Sequence, residues 1–310
     1  MSLKSIKNNI RSIDKTHKVT KAMEAVSAVK MRKSQERALI SRPYALSALR
    51  ILSRIQSGVD ARRHPLIAPG EGSVTCMLLV TSDKGLAGSL NSSVIKEAAR
   101  AIADTPKESV RFVCIGNKGR EYFERRGYAV LKHYDNVSDD ISLREMLDIT
   151  NEITKLFTEK TVGRVLVAYT NFVSTFEQRA YVRQVLPIDF DELKKVIEAI
   201  VPKKGKFSEH TEDTESHPIE EGARIPYTIE PSPEEVFAEL LPSLLNIELY
   251  HALLEAKASE HSARMVAMKN ASDKAEEMAE ELTLLFNKAR QAEITSEISE
   301  IVGGMEAMAG

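Results

Sequence analysis

Between Pro242 and the Gly303-Gly304 pair lie roughly sixty residues without a proline or a glycine. Nothing in that stretch stops a helix, so Pro231 to Gly310 reads as one very long helix. At about 1.5 Å rise per residue the uninterrupted part alone would span about 90 Å. A compact domain of ordinary size does not need such an element. Met268, Ala271, Ala275, Met278, Leu282, Leu285, Ala289 and Ala292 recur at spacings of three and four. That is the a/d pattern of a helix wound on another helix. The residues beside it are charged (Lys274, Glu276, Glu277, Glu280, Glu281), which favours a coiled-coil seam over a wholly buried core helix. The phase differs earlier, at Leu245, Leu249, Ala252, Ala256, Ser259, Ala263 and Val266, and later, at Ile294, Ile298, Ile301 and Met305.

A second long helix opens the chain. From Leu3 to Arg42 there is neither Gly nor Pro. Leu3, Ile6, Ile10 and Ile13 form an apolar stripe, and Val19, Ala22, Val26 and Val29 extend it after a phase shift. Pro43 is placed to bend or interrupt the helix, Leu46, Leu49, Leu52 and Ile55 resume it, and Gly58 ends it. The basic start (Lys4, Lys7, Arg11) mimics a targeting sequence. Its helical pattern runs on without a break through Asp14 and Glu24, so it is read as part of the mature fold. Neither terminal helix can hide its stripe alone, and the simplest solution pairs the two as an antiparallel coiled coil.

Between them the period changes. Strands are expected at Val74–Thr81, Val110–Ile115, Ala129–His133 and Arg164–Tyr169, with Tyr181–Leu186 as an added edge. Helices are expected at Ser89–Ala103, Lys118–Arg126 and Ser142–Glu159. This alternation indicates an α/β layer with a mainly parallel, Rossmann-like sheet inserted between the terminal helices. The expected organisation is therefore a shaft helix over 1–58, an α/β domain over 72–190, a polar linker over 191–230 and a second shaft helix over 231–310. Within the linker, Lys203–Gly222 carries six acids against three lysines and almost nothing apolar, so it cannot bury enough surface to fold alone.

Bulk properties exclude several functions. The net charge of -2 gives no global field toward nucleic acid or membrane, although residues 1–37 hold ten basic side chains against three acids. Lys4, Lys7, Arg11, Lys15 and Lys18, then Lys30, Arg32, Lys33 and Arg37, form stripes suited to an acidic partner surface. Aromatic or amide side chains that would read nucleic acid are sparse among them. Cys76 and Cys114 lie in apolar runs and read as buried free thiols. No histidine pairs with Cys or His at metal-ligand spacing. The turn Thr81-Ser82-Asp83-Lys84-Gly85-Leu86-Ala87-Gly88-Ser89-Leu90-Asn91 follows a strand and precedes a helix, where backbone amides could cradle phosphate. It matches neither established glycine-rich phosphate motif. Asp139-Asp140 and Glu220-Glu221 read as solvated loop pairs. No catalytic, cofactor or metal site emerges.

Four blocks then carry a resemblance. Ile6–Ile13 (IKNNIRSI) with Val19–Lys33 (VTKAMEAVSAVKMRK), Thr81–Asn91 (TSDKGLAGSLN), Ala263–Asp273 (ARMVAMKNASD) and Phe286–Gly304 (FNKARQAEITSEISEIVGG) occur in this order from end to end. The chain resembles the gamma-subunit family of F-type ATP synthase. The resemblance implies a central-stalk rotor, one copy per complex, with no active site or cofactor of its own. Its partners would be the alpha and beta subunits of the head, the epsilon subunit and the c-subunit ring. The complex would hold it on the cytoplasmic face of a bacterial inner membrane. The resemblance also suggests three contact zones: Met23, Lys30, Arg32 and Lys33; Asp83, Lys84, Gly85, Gly88 and Asn91; and Arg290, Gln291 and Thr295. The middle zone departs from the family's usual G-L-C-G-G-L-N, with Ala87 in place of the cysteine and Ser89 in place of a glycine. Plant-type members carry a regulatory dithiol near 203–222. This segment has no cysteine, so no thiol switch is expected there. The competing readings are a free-standing α/β nucleotide-binding enzyme with helical extensions, and a basic coiled-coil nucleic-acid scaffold.

Overall fold

The computed structural model describes residues 2–55, 60, 63–199 and 229–309. Gly58 and the polar segment 203–222 lie outside them. The elements in chain order are α1 (Leu3–Ile55), β1 (Thr75–Val80), α2 (Leu90–Ala101), β2 (Val110–Ile115), α3 (Asn117–Glu124) and β3 (Ala129–Tyr134). There follow α4 (Leu143–Thr158), β4 (Arg164–Phe172), β5 (Gln178–Leu186), α5 (Phe190–Ala199) and α6 (Pro233–Ala309). They form two compact units, one of Met1–Ala28 with Arg264–Gly310 and one of Val29–Ala263.

In the larger unit the sheet order is β3-β2-β1-β4-β5. The first four strands are parallel and β5 closes the edge antiparallel to β4, with Tyr169 opposite Tyr181. β1 is buried along its whole length, as a strand covered on both faces must be. The period-2 alternation separates two cores. Cys76, Leu78, Val80, Val113, Ile115, Val165 and Val167 point to α1, α4 and α6, while Met77, Leu79, Phe112, Cys114, Leu166 and Ala168 point to α2 and α3. Both thiols are buried, which pushes each up to about 12 and leaves them inert.

Local chemistry fixes the helix starts. Ser142 and Glu145 form a reciprocal capping box on α4, with bonds of 3.2 and 2.7 Å. Ser232 Oγ accepts from Glu235 N at 3.2 Å at the start of α6. Between β2 and α3 only glycine fits: Gly116 has φ 87, and a Cβ there would sit 2.1 Å from the Thr81 carbonyl oxygen. Pro43 lies inside α1 without interrupting it.

Three expectations need correction. Residues 191–199, expected within the linker, are helical: Asp189 Oδ1 accepts from Asp191 N (2.9 Å) and Glu192 N (3.2 Å), and Leu193 is buried. The compact units also divide the chain inside the long helices rather than at 58 and 231. Ala45, Ala48, Leu52 and Ile55 of α1, and Phe237 through Ala256 of α6, share one hydrophobic cluster with the sheet. This second region of α6 is therefore a core helix: Ile247, Tyr250, Leu253 and Leu254 are buried along with Leu245, Leu249 and Ala252. The earlier phase read there was only one face of a helix covered all round.

The third correction concerns the seam. In the smaller unit the helices run antiparallel. His17 Nδ1 donates to the Ser272 carbonyl at 3.1 Å, and Asn9, Ser12 and Ile13 line a groove with Met278, Leu282 and Leu285. The α1 residues turned inward are Leu3, Ile6, Ile10, Ile13, His17, Thr20, Glu24 and Ser27, an unbroken heptad series. No phase shift occurs. Val19, Val26 and Val29 are instead 58, 55 and 59% exposed. On α6 the inward residues are Met268, Ser272, Ala275, Ala279, Leu282, Phe286 and Ala289, whereas Met278 and Leu285 are exposed. Ala271, Met278 and Leu285 of the expected series thus give way to their neighbours Ser272, Ala279 and Phe286, and Ala292 is exposed.

Candidate functional site

The three expected contact zones remain separate places in the fold. On α1, Met23 is half-buried beside the seam, and Arg32 and Lys33 are exposed. Lys33 continues the outward stripe of Val19, Val26 and Val29 at helical spacing, so α1 displays an apolar strip with a basic end. Lys30 is different. Its Nζ lies 2.7 Å from Asp139 Oδ2, so it is engaged within the chain.

The turn after β1 lies at the carboxyl edge of the sheet. Asp83 Oδ1 accepts from Asn117 N (3.2 Å) and Asn117 Nδ2 (3.1 Å), and Oδ2 accepts from Asn136 N (3.0 Å). Asn91 accepts from Ser82 N (3.0 Å) and donates to Ser82 Oγ (2.7 Å), which donates in turn to the Lys84 carbonyl (2.6 Å). Gly88 takes φ 57 to enter α2. Asp83 and Asn91 therefore shape the loop, while Lys84, Gly85, Leu86 and Gly88 are displayed. Leu86, exposed at φ 63, was not singled out by sequence. The carboxylate and the tied polar side chains disfavour a phosphate cradle here.

Arg290, Gln291 and Thr295 are exposed on α6, and Thr295 Oγ1 donates to the Gln291 carbonyl at 2.8 Å. Leu3 precedes His17 by as many residues as Phe286 follows Ser272, so α1 ends about level with Phe286, and past Ala289 the described side chains of α6 are exposed on every face. Ile294, Ile298, Ile301 and Met305 are accordingly exposed as one apolar stripe.

Two charged clusters were missed by sequence reasoning. Asp139, read as solvated, is held by four basic side chains. Lys30 (2.7 Å), His261 Nε2 (2.9 Å) and Lys257 (3.5 Å) meet its carboxylate, and Arg37 donates to its carbonyl (3.2 Å). Partial burial alone would raise this carboxyl. Bonds from His261 and Lys30, with the Lys257 charge, outweigh it and hold the group well below the usual carboxylate range. The second cluster joins β5 to α6. Arg183 Nε lies 3.3 Å from Glu248 Oε1, its guanidinium stands 5.1 Å from the Tyr169 ring centre, and His251 lies 3.5 Å from Glu255. Burial pushes Glu248 and Glu255 up to about 7 against the Arg183 charge, and pushes His251 down to about 3. The visible signal was Glu248, His251 and Glu255 standing inside an otherwise apolar run.

Among the described residues no group of His, Cys, Asp and Glu could hold a metal ion, and no helix is long and apolar enough to cross a membrane.

A family model described as ATP synthase matches residues 2–308. The ATP synthase gamma chain of Heliobacterium modesticaldum is 38% identical over 306 residues, covering 99% of both chains. That of Roseiflexus sp. is 38% identical over 314 residues, again covering 99% of both. Among solved structures, a chain of the Euglena gracilis mitochondrial ATP synthase superposes with TM-score 0.61 at 16% identity, over 99% of this chain and 94% of that one. A chain of the Tetrahymena thermophila mitochondrial ATP synthase central stalk and c-ring gives 0.57 at 22% identity, over 82% and 99%.

Proposed function

Because the chain belongs to the gamma-chain family of ATP synthase, we propose that it is the central-stalk rotor of an F-type enzyme, coupling proton-driven rotation to ATP synthesis or hydrolysis. The observation that carries this is the smaller unit: an antiparallel helix pair whose longer arm runs past its partner and bears an apolar stripe at its free end. Such an end suits insertion into a sleeve of other subunits. The chain then has no catalytic site of its own. It acts on the alpha and beta subunits of the head, and its α/β domain meets epsilon and the c-subunit ring. Its kinship with the Heliobacterium and Roseiflexus chains supports a place on the cytoplasmic face of a bacterial inner membrane.

An asymmetric shaft in a three-fold ring presents a different face to each catalytic subunit. Differential contact with that face biases each subunit's conformational equilibrium, and turning the shaft moves the bias to the next. The coupling is reciprocal, so nucleotide binding biases rotation by the same free energy. In this reading Arg290, Gln291 and Thr295 touch the catalytic subunit near the tip. Met23, Arg32 and Lys33 face its acidic lever. The displayed part of the Asp83–Asn91 turn meets the ring, and Asp83 and Asn91 hold its shape. Lys30 serves internally through Asp139. Purifying the complex through a tag on this chain is expected to bring alpha and beta ATPase subunits with it, and calorimetry of the chain with ATP is expected to give no binding heat. A chain that purifies alone and binds ATP would be the α/β nucleotide-binding enzyme instead.

The basic zone makes a further prediction. Arg32 and Lys33 are exposed, so each pair they form is worth about 0.5 kcal/mol, and losing both amounts to roughly a fivefold effect. The double variant Arg32→Glu, Lys33→Glu is expected to lower proton-driven ATP synthesis by about that factor, more at low salt. Synthesis rates equal to wild type at low ionic strength would remove these residues from the contact.

A further inference from the structure

The segment Val137–Leu143, between β3 and α4, is bound at almost every other residue by side chains from the two long helices. From α6, Lys257 Nζ donates to the Val137 carbonyl (2.7 Å), Tyr250 to the Ile141 carbonyl (3.1 Å) and Asn246 to the Leu143 carbonyl (3.0 Å). His261 completes the row on Asp139 Oδ1 at 2.9 Å. From α1, Lys30 holds Asp139 Oδ2 (2.7 Å), and Arg37 spans the Asp139 carbonyl (3.2 Å) and Asp140 Oδ1 (2.7 Å). Residues 246, 250, 257 and 261 fall on one face of α6, and 30 and 37 on one face of α1. One loop thus grips one stripe of each helix.

This arrangement has a mechanical consequence that apolar packing lacks. Hydrophobic burial is non-directional, so a smooth apolar helix surface resists separation more than turning. Charge-assisted bonds are short, directional and about twice as strong as neutral ones. Rotating α6 by one residue step, or sliding it by one turn of about 5.4 Å, would break its four attachments together. The same motion of α1 would break those of Lys30 and Arg37. Asp139 is the only described side chain that α1 and α6 both grip in this loop, so the two helices are also locked to each other through it.

We propose that the Val137–Leu143 loop is a torque clamp that fixes both long helices to the sheet, with Asp139 as its positioning residue. The proposal rests on the rotor reading above. Asp139 touches no nucleotide and carries no proton. It keeps rotation at the α/β domain from being lost as slippage of the helices.

The test uses the whole assembled enzyme in inverted membrane vesicles, comparing wild type, Asp139→Ala and Asp139→Glu. ATP hydrolysis and ATP-driven acidification are read on the same vesicles. Asp139→Ala is expected to keep alpha and beta subunits bound and hydrolysis within about twofold, while acidification per ATP falls severalfold. Asp139→Glu, which retains the charge, is expected to recover most of it. Acidification per ATP equal to wild type in Asp139→Ala overturns the clamp. If that variant does not assemble, Arg37→Met and His261→Leu, which each remove one arm, carry the same readouts, and wild-type ratios in both overturn it. If the wild-type chain brings no alpha and beta subunits, the rotor reading fails and the clamp falls with it. If it brings them and only the ratios are normal, the clamp alone fails.

Discussion

Replacing Arg183 by methionine is expected to destabilise the larger unit by about 3–5 kcal/mol at pH 9, the cost typical of removing one partner from a buried charge pair. Methionine approximates the arginine stem, so lost packing contributes little. The loss comes from Glu248 and Glu255, two buried carboxyls that share this one guanidinium as their cation. The sign with pH follows from their values. Each is raised to about 7 from an ordinary 4.5, so the folded state keeps protons that the unfolded chain releases. That contribution to stability is full below pH 4.5 and is lost as pH rises through about 7. Without Arg183 both carboxyls move further up, and the loss extends to higher pH. At pH 6 the variant can hold both carboxyls neutral, and its deficit should be markedly smaller than at pH 9. His251 acts oppositely: depressed to about 3, it withdraws stability as pH falls from 6.5 toward 3. Urea unfolding of the full chain at pH 6 and pH 9 reads the difference. Equal deficits at the two pH values would show that the carboxyls do not depend on Arg183 for their charge. In the wild type, Glu248→Gln should flatten the alkaline fall.

This cluster also shows where sequence stops being legible. Strand β2 runs from Val110 to Ile115, as its apolar run predicts, because a strand covered on both faces depends on local hydrophobicity alone. Edge β5 reaches back to Gln178, beyond its apolar part, because backbone pairing with β4 and not burial sets its length. Charges inside a buried helix need partners from elsewhere. Arg183 sits on an alternating edge strand and reveals nothing by itself. Asp139 is legible still less, since Lys30 and His261 lie 109 and 122 residues away in sequence. The contact zones inherited from the resemblance behave likewise: the blocks could be read, but Lys30 could not be separated from Arg32 and Lys33 until its partner was seen.

The α1 seam failed for another physical reason. Burial between closely spaced helices selects for size as well as polarity. Thr20 and Ser27 are small and buried, Thr20 returns its hydroxyl to the carbonyls of Thr16 and His17 at 3.0 Å, and His17 bonds across to Ser272. An apolar-periodicity reading passes over such residues and follows Val19, Val26 and Val29 to the outside. On α6 the ambiguity is narrower. At 278/279 and 285/286 both neighbours are apolar, so either could face the partner, and only the partner's position decides.

That one-residue difference leads to the second large effect. Ala275 is buried one turn past Ser272, level with the stretch of α1 between Ile13 and His17. Ala275→Trp is expected to force the helices apart where a small side chain is buried in the seam. Overpacking of this kind typically costs 1–3 kcal/mol, and about 2 kcal/mol corresponds to roughly a thirtyfold shift in the paired state. Failure to assemble, or a loss of coupled ATP synthesis of at least tenfold, should follow. Ala275→Ser, close to alanine in size, should be nearly silent. The phase is tested by a neighbouring pair: Ala279→Trp, on the inward series, should be damaging, whereas Met278→Trp, on an exposed position, should be tolerated. Wild-type coupling in Ala275→Trp would contradict the close pairing itself. The reverse order, with Met278→Trp disabling and Ala279→Trp harmless, would keep the pairing but restore the register that apolar spacing alone suggests. Because a rod transmits torque only while its two strands stay seated, these variants should lose coupling in proportion to how far they unseat the seam.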